Sequence, residues 1–329
     1  MSIQLSTTGF LKRLLFGRIK LKSKHEELVN APLLTREAIF DLYYRIQDRL
    51  RNRENQYEVA HRMLGDNRSV YKGYGMDYEE NRPYQAGDEL RFMNWRVTAR
   101  TGELYMKVYR EERRPGVFVL IDRRPSMRFG TSERIKAAQA ARVAALISFN
   151  AQRENAQVGG VILDDEASWI AEQNGSQAAF NLVNKASKPC PPYTNEIIEP
   201  SLPYILKVMT RVLTKGSTVY LISDFHDLTD DCRAALIQLG LEHEIIAIHI
   251  IDPAELKLPQ AGELKLTVSP GIKTDVNSEI KIHSEDEQLQ KLFSFRAAAF
   301  IKSKEKIFSS IGISYQSVFS DLDNIEQEI

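Results

Sequence analysis

The stretch Val117–Gly130, VFVLIDRRPSMRFG, decides the fold of this chain. It is a short apolar run of the β type that ends on Asp122 and gives way to a polar turn. A second run of the same kind, Val219–Asp227 (VYLISDFHD), carries Asp224 near its end. Ligands of open α/β sheets bind where the C-termini of strands meet loops. We therefore expect Asp122 and Asp224 to face the same crevice.

Strands and helices alternate outward from this stretch. The predicted strands and helices, in chain order, are 117–121, 132–153, 158–163, 177–188, 202–214, 218–222, 230–239 and 244–250, followed by 279–283, 286–310 and 314–319. The helix at 132–153 is rich in alanine, which suits close contact with a sheet. Alternation of this kind predicts an α/β fold with a doubly wound, mostly parallel sheet and helices on both faces.

The N-terminal part has a different character. Residues 1–60 combine a basic arm with a helix over 36–51, which Thr35 is expected to cap. Residues 61–115 contain glycines among aromatic and β-type residues, which predicts a small β-rich insert. The α/β domain is then expected to occupy residues 116–329.

Composition limits the function classes. Lys+Arg and Asp+Glu both number 44 among the 329 residues, so the formal net charge is zero and does not favour a nucleic-acid partner. No apolar run approaches the roughly 18 residues that cross a bilayer, although the amphipathic segment 8–19 leaves peripheral membrane contact open. The two cysteines, Cys190 and Cys232, lack metal-ligand spacing and favour a reducing compartment. We therefore expect a cytoplasmic protein with no transmembrane segment.

The turn after the first strand resembles the metal site of von Willebrand A-type domains. Those domains carry Asp-x-Ser-x-Ser there, where this chain has Asp-Arg-Arg-Pro-Ser over 122–126. Together with a threonine and a second aspartate from other loops, the motif holds Mg²⁺ through oxygen ligands. The resemblance implies a von Willebrand A-like, Rossmann-like sheet, with metal ligands at Asp122, Ser126, Thr194 and Asp224.

Arg124 departs from that pattern, because it occupies the position of the middle serine. A cation about 4 Å from a divalent ion is repelled by several kcal/mol at an effective dielectric constant of about 20. Arg124 therefore swings away, or places its guanidinium where the metal would be and neutralises Asp122 and Asp224, or is a surface residue without a role. We favour the second alternative, and we expect no cofactor and weak or absent binding of Mg²⁺. The expected binding-site residues are Asp122, Arg124, Ser126, Thr194 and Asp224.

The block upstream of the first strand resembles the bacterial family called domain of unknown function 58. It reads YQAGDELRFMNW over 84–95, and the DPAE segment at 252–255 resembles a later motif of that family. The members are von Willebrand A-like proteins often encoded beside MoxR-type AAA+ ATPases. The resemblance implies a non-catalytic interaction module that works with such an ATPase and a client protein, in protein assembly or activation.

Arginines alternate with carboxylates in this upstream block. Two interpretations stay open: a half-buried network of Arg–carboxylate pairs, or a docking surface for a partner. We expect Trp95 to lie in the core. The residues singled out for these two roles are Arg82, Tyr84, Gly87, Asp88, Arg91, Asn94, Trp95 and Arg100.

A hydrolase that uses the Asp122/Asp224 crevice is the alternative function. Asp122 at a strand end is similar to the nucleophile of haloacid-dehalogenase-type phosphatases, but those need an acidic residue where this chain has Arg124. Ser126, His226 and an aspartate could form a pairing, but the chain contains no Gly-x-Ser-x-Gly nucleophile elbow. We therefore expect a protein that is not an enzyme.

Overall fold

The computed structural model describes residues 17–19, 30–48, 77–85, 87–110, 116–192, 199–260, 262–268 and 280–325. The chain divides into two compact units. The smaller unit spans 51–114, where the sequence predicts an insert at 61–115, and the larger unit comprises 1–50 and 115–329.

The helices and strands are numbered in chain order. The strands are β1 (Gly17–Ile19), β2 (Asp77–Pro83), β3 (Tyr105–Arg110), β4 (Val117–Asp122), β5 (Val158–Leu163), β6 (Ala167–Gln173), β7 (Thr218–Ser223), β8 (Glu244–Ile251), β9 (Glu263–Val268), β10 (Ile280–His283) and β11 (Ser314–Phe319). The helices are α1 (36–48), α2 (Trp95–Thr101), α3 (Lys136–Arg153), α4 (Ser176–Ala186), α5 (Leu202–Val212), α6 (Asp230–Gly240), α7 (Pro253–Leu256) and α8 (Glu287–Ser310). Single 3₁₀ turns occur at Leu90–Phe92 and Pro125–Arg128.

A six-stranded sheet organises the larger unit. Its strand order is β11-β8-β7-β4-β5-β6, and every neighbouring pair is parallel except β5 and β6. The predicted α/β fold with a mostly parallel sheet is confirmed. The edge strand β6 was not predicted, because only Ile170 of its seven residues is buried and its sequence lacks the apolar run that marks the central strands.

Helices cover both faces of this sheet, as predicted. Alternate residues of β4 point to opposite faces, with Val119 and Ile121 in one core and Phe118 and Leu120 in the other. The first core is completed by α1, α3 and α4, and the second by α5, α6 and α8. All seven alanines of α3 are buried, which agrees with the close contact with the sheet that its composition predicts.

Two helix starts show how local chemistry sets the boundaries. Thr35 caps α1 as predicted, since its Oγ1 accepts a hydrogen bond of 3.2 Å from the backbone N–H of Ala38. Helix α3 begins at Lys136, four residues later than predicted. The backbone N–H of Lys136 donates to the Phe129 carbonyl at 2.8 Å and not to the carbonyl four residues before it, so residues 132–135 form no helical turn. Just ahead of them, Asp252 accepts hydrogen bonds from the backbone N–H of Thr131 at 2.9 Å and from its hydroxyl at 2.5 Å.

A second, antiparallel sheet in the larger unit has the order β1-β9-β10. Strand β9 was not predicted. Three residues of the predicted basic arm, Gly17–Ile19, form the edge strand β1, and the rest of the arm lies outside the part of the chain that the structure describes.

The smaller unit contains a two-stranded antiparallel sheet of β2 and β3. Helix α2 and the 3₁₀ turn at Leu90–Phe92 lie in the segment that joins these strands. Asn94 caps α2, and Gly102 ends it in the left-handed conformation with φ +78°.

Candidate functional site

Two buried carboxylates lie at one edge of the central sheet. Asp122 is the last residue of β4, and Asp224 directly follows the last residue of β7. Because β4 and β7 are parallel neighbours, both side chains reach the same edge, as the sequence predicts. Asp122 is 0% exposed and Asp224 is 5% exposed. Buried carboxylates need charged partners, and the partners define this site.

The guanidinium of Arg124 bridges two aspartates. Its Nε lies 3.0 Å from Asp122 Oδ1 and its Nη2 lies 2.8 Å from Asp122 Oδ2. Its Nη1 and Nη2 donate to Asp227 at 2.5 and 3.1 Å, and Nη1 also donates to the Pro200 carbonyl at 3.4 Å. The expected neutralisation of Asp122 therefore agrees with the structure, but the second carboxylate bound by Arg124 is Asp227 and not Asp224.

The turn after β7 explains why Asp227 takes this place. Phe225 adopts a left-handed conformation with φ +49°, which is uncommon for a residue with a side chain. Its ring is buried and packs edge-on against Phe308 of α8, at 4.9 Å between centroids. The sharp turn brings Asp227 over Arg124. No pattern in the local sequence predicts a left-handed phenylalanine.

Burial and ion pairing together set the protonation states of this bridge. Burial alone would lower the pKa of Arg124, but Asp122 and Asp227 raise it well above its usual value. Burial likewise acts to raise the pKa of Asp227, yet the bonds from Arg124 hold that pKa below its usual range. Arg124 and Asp227 are therefore a charged pair at neutral pH.

Asp224 has its own set of cations. Its Oδ2 accepts a hydrogen bond of 2.8 Å from Lys136 Nζ, and the same amine donates to Glu255 Oε1 at 2.6 Å. The Lys304 amine, from α8, donates to the backbone carbonyl of Asp224. Burial acts to raise the pKa of Asp224, but Lys136 and His226 hold it well below its usual range. Lys136 and Lys304 were not singled out from the sequence.

The donor set does not fit a Mg²⁺ ion. Asp122 Oδ1 accepts from the backbone N–H and the Nε of Arg124, both at 3.0 Å, and Oδ2 accepts from Arg124 Nη2 at 2.8 Å and from the Ser223 hydroxyl at 2.6 Å. Each oxygen is thus fully used. Within the described part of the chain, no three His, Cys, Asp or Glu side chains are arranged to hold a metal ion. Thr194, the remaining implied ligand, lies outside the described residues.

Ser126, His226 and Asp224 do come together, but not as a relay. Ser126 Oγ and Asp224 Oδ1 both contact the same ring nitrogen, His226 Nδ1, at 3.1 and 2.9 Å. A carboxylate only accepts hydrogen bonds, so Nδ1 carries a proton when it binds Asp224 and cannot accept one from Ser126. A serine nucleophile needs a base whose two ring nitrogens serve the two partners separately.

Two further arginines of the same turn bind a distant segment. Arg123 donates from Nε to Asp164 at 3.0 Å, from Nη1 to the Ala186 carbonyl at 2.8 Å and from Nη2 to the Pro189 carbonyl at 3.0 Å. Arg128 donates to the Pro191 carbonyl at 2.9 Å. Both arginines are buried. They were missed in the sequence, although a run of arginines directly after a buried strand is a signal that could have identified them.

The DPAE segment at 252–255 supplies two carboxylates next to the site. Asp252 caps α7 in a capping box with Glu255, and it also accepts a hydrogen bond of 3.0 Å from the Ser320 hydroxyl. Glu255 faces Lys136 as well, at 2.6 Å. The motif noticed in the sequence therefore positions the lysine that neutralises Asp224.

Part of the upstream block holds the smaller unit together. Arg82 binds Asp88 with two hydrogen bonds of 2.8 and 2.6 Å. Gly87 occupies the turn between them with φ +106°. The amide of Asn94 donates to Asn81 Oδ1 at 2.7 Å. The backbone N–H of Tyr84 donates to the Leu104 carbonyl at 2.8 Å.

The remaining residues of that block face solvent. Arg91 pairs with Glu89 and lies over the Phe92 ring at 4.6 Å, and both members of the ion pair are exposed. Arg100 is exposed on α2. Trp95 is 66% exposed, so its predicted place in the core is wrong. The reason is its position as the first residue of a short helix, whose other side carries the contacts to β3.

These observations define the class of the protein: an α/β protein whose mostly parallel sheet carries a cluster of buried ion pairs at the carboxyl ends of β4 and β7. The family model described as "Protein of unknown function DUF58" matches residues 80–299. The chain therefore belongs to the DUF58 family.

Relatives with curated sequences carry no described activity. Uncharacterised proteins of Mycobacterium bovis and of two strains of Mycobacterium tuberculosis are each 26% identical to this chain over 235 residues. The matches cover 68% of this chain and 73% of each relative.

Two solved structures show a weaker likeness. The crystal structure of the conserved hypothetical protein BatB from Bacteroides thetaiotaomicron matches with a TM-score of 0.39 and 13% identity, over 65% of this chain and 94% of that one. An aerotolerance-related membrane protein from Bacteroides fragilis matches with a TM-score of 0.38 and 14% identity, over 65% and 98%. At these TM-scores neither likeness supports an inference about this chain.

Among the helices of the described ranges, none has an apolar stretch of the length that spans a bilayer.

Proposed function

We propose that this protein is a non-catalytic interaction module of the von Willebrand A type. It serves as an adaptor for a MoxR-type AAA+ ATPase in the assembly or activation of a client protein. The observation that carries the proposal is the bridge from Arg124 to Asp122 and Asp227. The partner class comes from the family resemblance of the 84–95 block.

The bridge supports a binding site that works without a metal. In a metal-dependent adhesion site the ion links several loops, and here one guanidinium links the turn after β4, the turn after β7 and the Pro200 carbonyl. Arginine suits this role because its planar group presents five donors in fixed directions. The site is therefore a degenerate metal site, in which the side chain of Arg124 and not a metal ion holds the two turns together.

The accessible rim of the site is the proposed contact surface. Ser126, His226 and Asp227 are partly exposed, while Arg124 is almost wholly buried with its donors occupied. Glu199 is also half-buried. Burial raises the pKa of Glu199 above its usual value, although the charge of Arg124 acts to lower it. A partner consequently meets the rim and not the guanidinium of Arg124.

The same geometry argues against hydrolysis. The carboxylates that would act as nucleophile or base are ion-paired with Arg124 and Lys136, and the one ring nitrogen that Ser126 contacts cannot accept its proton.

The compartment that we propose is the cytoplasm. This proposal rests on two buried cysteines that form no disulfide.

Binding to the ATPase tests the proposal. The full chain is immobilised, and a MoxR-type ATPase from the same organism is passed over it in ADP and in ATP-analogue states. We expect binding in at least one state that is weakened by His226→Ala at the rim. The matched control is His283→Ala, because His283 is exposed on β10. Absence of binding in both states, or equal loss in both variants, contradicts the proposal.

A separate assay tests the hydrolase alternative. The purified chain is incubated with aryl phosphate and aryl carboxyl esters, and release of the phenol is followed. We expect no turnover above the uncatalysed rate. Turnover that disappears in Asp122→Ala or in Ser126→Ala would establish the hydrolase and remove the adaptor proposal.

A further inference from the structure

Helix α2 of the smaller unit presents an exposed face. At 100° per residue, Trp95, Arg96, Ala99 and Arg100 fall within an arc of about 140°, and all four are exposed. We call these four residues the α2 face. The opposite side packs inward, since Thr98 Oγ1 accepts a hydrogen bond of 3.1 Å from the backbone N–H of Tyr105.

The two arginines of this face have no ion-pair partner among the residues that the structure describes. Among the arginines of the upstream block, Arg82 pairs with Asp88 and Arg91 pairs with Glu89. No carboxylate in the described ranges pairs with Arg96 or Arg100. The α2 face therefore combines an exposed indole with two exposed guanidinium groups, and Trp and Arg are, with Tyr, the residues enriched at the energetic centres of protein interfaces.

We propose that the α2 face is a docking surface for an acidic protein segment. The segment places an apolar side chain on Trp95 and carboxylates on Arg96 and Arg100. These two arginines are four positions apart on the helix, so their Cβ atoms are about 6 Å apart. Two carboxylates on neighbouring turns of a helix, or at alternate positions of a strand, match that spacing. The α2 face belongs to the smaller unit, and the proposal goes beyond the function proposed for the site of the larger unit.

The charges favour a protein over the other anionic partners. A nucleic-acid site commonly neutralises about 6–10 phosphates, and this face offers two cations. A membrane surface gains only about one kcal/mol for each basic residue, which two arginines do not raise to stable attachment.

Peptide selection tests the proposal without a known partner. A random peptide display library is panned against the full chain after counter-selection on the triple variant Trp95→Ala, Arg96→Glu, Arg100→Glu. We expect acidic peptides that contain an aliphatic or aromatic residue. Their affinity should fall about thirtyfold with Trp95→Ala, a loss typical of a central aromatic contact. The matched controls are Phe295→Ala and Arg296→Glu on α8, which are also exposed and should leave the affinity unchanged.

Tryptophan fluorescence locates the contact. The chain has two tryptophans, so Trp169→Phe leaves Trp95 as the single reporter. A selected peptide should shift its emission to the blue in the full chain. Peptides that lack acidic residues, or that bind the triple variant equally, overturn the proposal. A shift produced by a single-stranded oligonucleotide or by phosphatidylserine vesicles, and not by the peptide, overturns it in favour of nucleic acid or membrane.

Discussion

Arg124 shows how one side chain changes the chemistry of a site. It stands two residues after Asp122, and the short spacing lets its backbone N–H, Nε and Nη2 all reach the same carboxylate. That bond could be anticipated, because both residues belong to one turn. The second bond, to Asp227, could not, because it depends on the left-handed turn at Phe225.

The first prediction concerns Arg124→Ser. The change leaves Asp122 buried without a cation, so we expect the free energy of unfolding to fall by about 3–5 kcal/mol. It also places a serine where the von Willebrand A-type motif carries one, and it removes the hydrogen bonds that the guanidinium donates to Asp122. Added Mg²⁺ should then raise the melting temperature of the variant and leave that of the wild type unchanged, as measured by thermal unfolding with and without the ion.

Arg211→Ser is the matched control, since Arg211 is exposed on α5 and its loss should change stability by less than about 0.5 kcal/mol. A variant at Arg124 that is as stable as the wild type would show that the bridge contributes nothing. Stabilisation of the wild type by Mg²⁺ would show that the site does accept a metal.

At the scale of elements, buried cations join segments that are far apart in the chain. Arg123 binds carbonyls at the end of α4 and in the proline-containing loop that follows, and Arg128 binds the Pro191 carbonyl in the same loop. The central strands and helices were predictable, because their periodicity is local. Strands β6 and β9 were not predicted, since each is defined by its pairing with a neighbouring strand, and β6 has only one buried residue among its seven.

The second prediction concerns Arg123→Lys. A lysine keeps the charge but lacks the fixed fork that reaches Asp164 and several carbonyls together. Hydrogen–deuterium exchange over residues 186–192 should therefore become faster, while exchange in β4 and β5 stays slow. Arg233→Lys, at an exposed site on α6, is the control and should change neither. Unchanged exchange over 186–192 in the Arg123 variant would contradict the role of Arg123 as the anchor of this loop.

The third prediction concerns Lys304, which joins α8 to the sheet. Burial lowers the pKa of Lys304 from 10.5 to about 8, although Asp224 acts to raise it. The folded state therefore binds this proton more weakly than the unfolded state. The corresponding cost in stability, about 3 kcal/mol, is absent above pH 10.5, accumulates as the pH falls towards 8 and is complete below it.

Lys304→Met removes this titration. The free energy of unfolding of the wild type, relative to the variant, should rise by about 3 kcal/mol between pH 8 and pH 10.5, as measured by denaturant unfolding at several pH values. Lys302→Met, at an exposed position of the same helix, should follow the wild-type profile. Parallel profiles for the wild type and Lys304→Met would show that Lys304 keeps its ordinary pKa in the folded protein.

The whole molecule has balanced charge. Its formal net charge at pH 7 is zero, with 44 basic and 44 acidic side chains and 6 histidines. Balanced charge removes the long-range repulsion that keeps copies of a protein apart. The ion pairs that the arginines of the site make are short-range, and they leave the net charge of the molecule unchanged.

The fourth prediction is a solubility minimum near pH 7. Precipitation by ammonium sulfate should need the least salt there, and more at about pH 5.5 and about pH 8.5, where the net charge is larger. Leu241 is 75% exposed, so Leu241→Lys should move the minimum to higher pH and Leu241→Glu to lower pH. If the two variants share the wild-type minimum, net charge does not control the solubility of this protein.

The sequence by itself determined the alternation of strands and helices and hence the placement of Asp122 and Asp224 at one sheet edge. The hydrophobic pattern that predicts each strand and helix lies within a few neighbouring residues. Only the tertiary structure decided which charges meet, since Lys136 reaches Asp224 across 88 positions and Arg124 reaches Asp227 across 103. It also decided that Trp95 faces solvent. The physical reason is that hydrophobic periodicity acts along the chain, whereas ion pairing and burial depend on distances that exist only after folding.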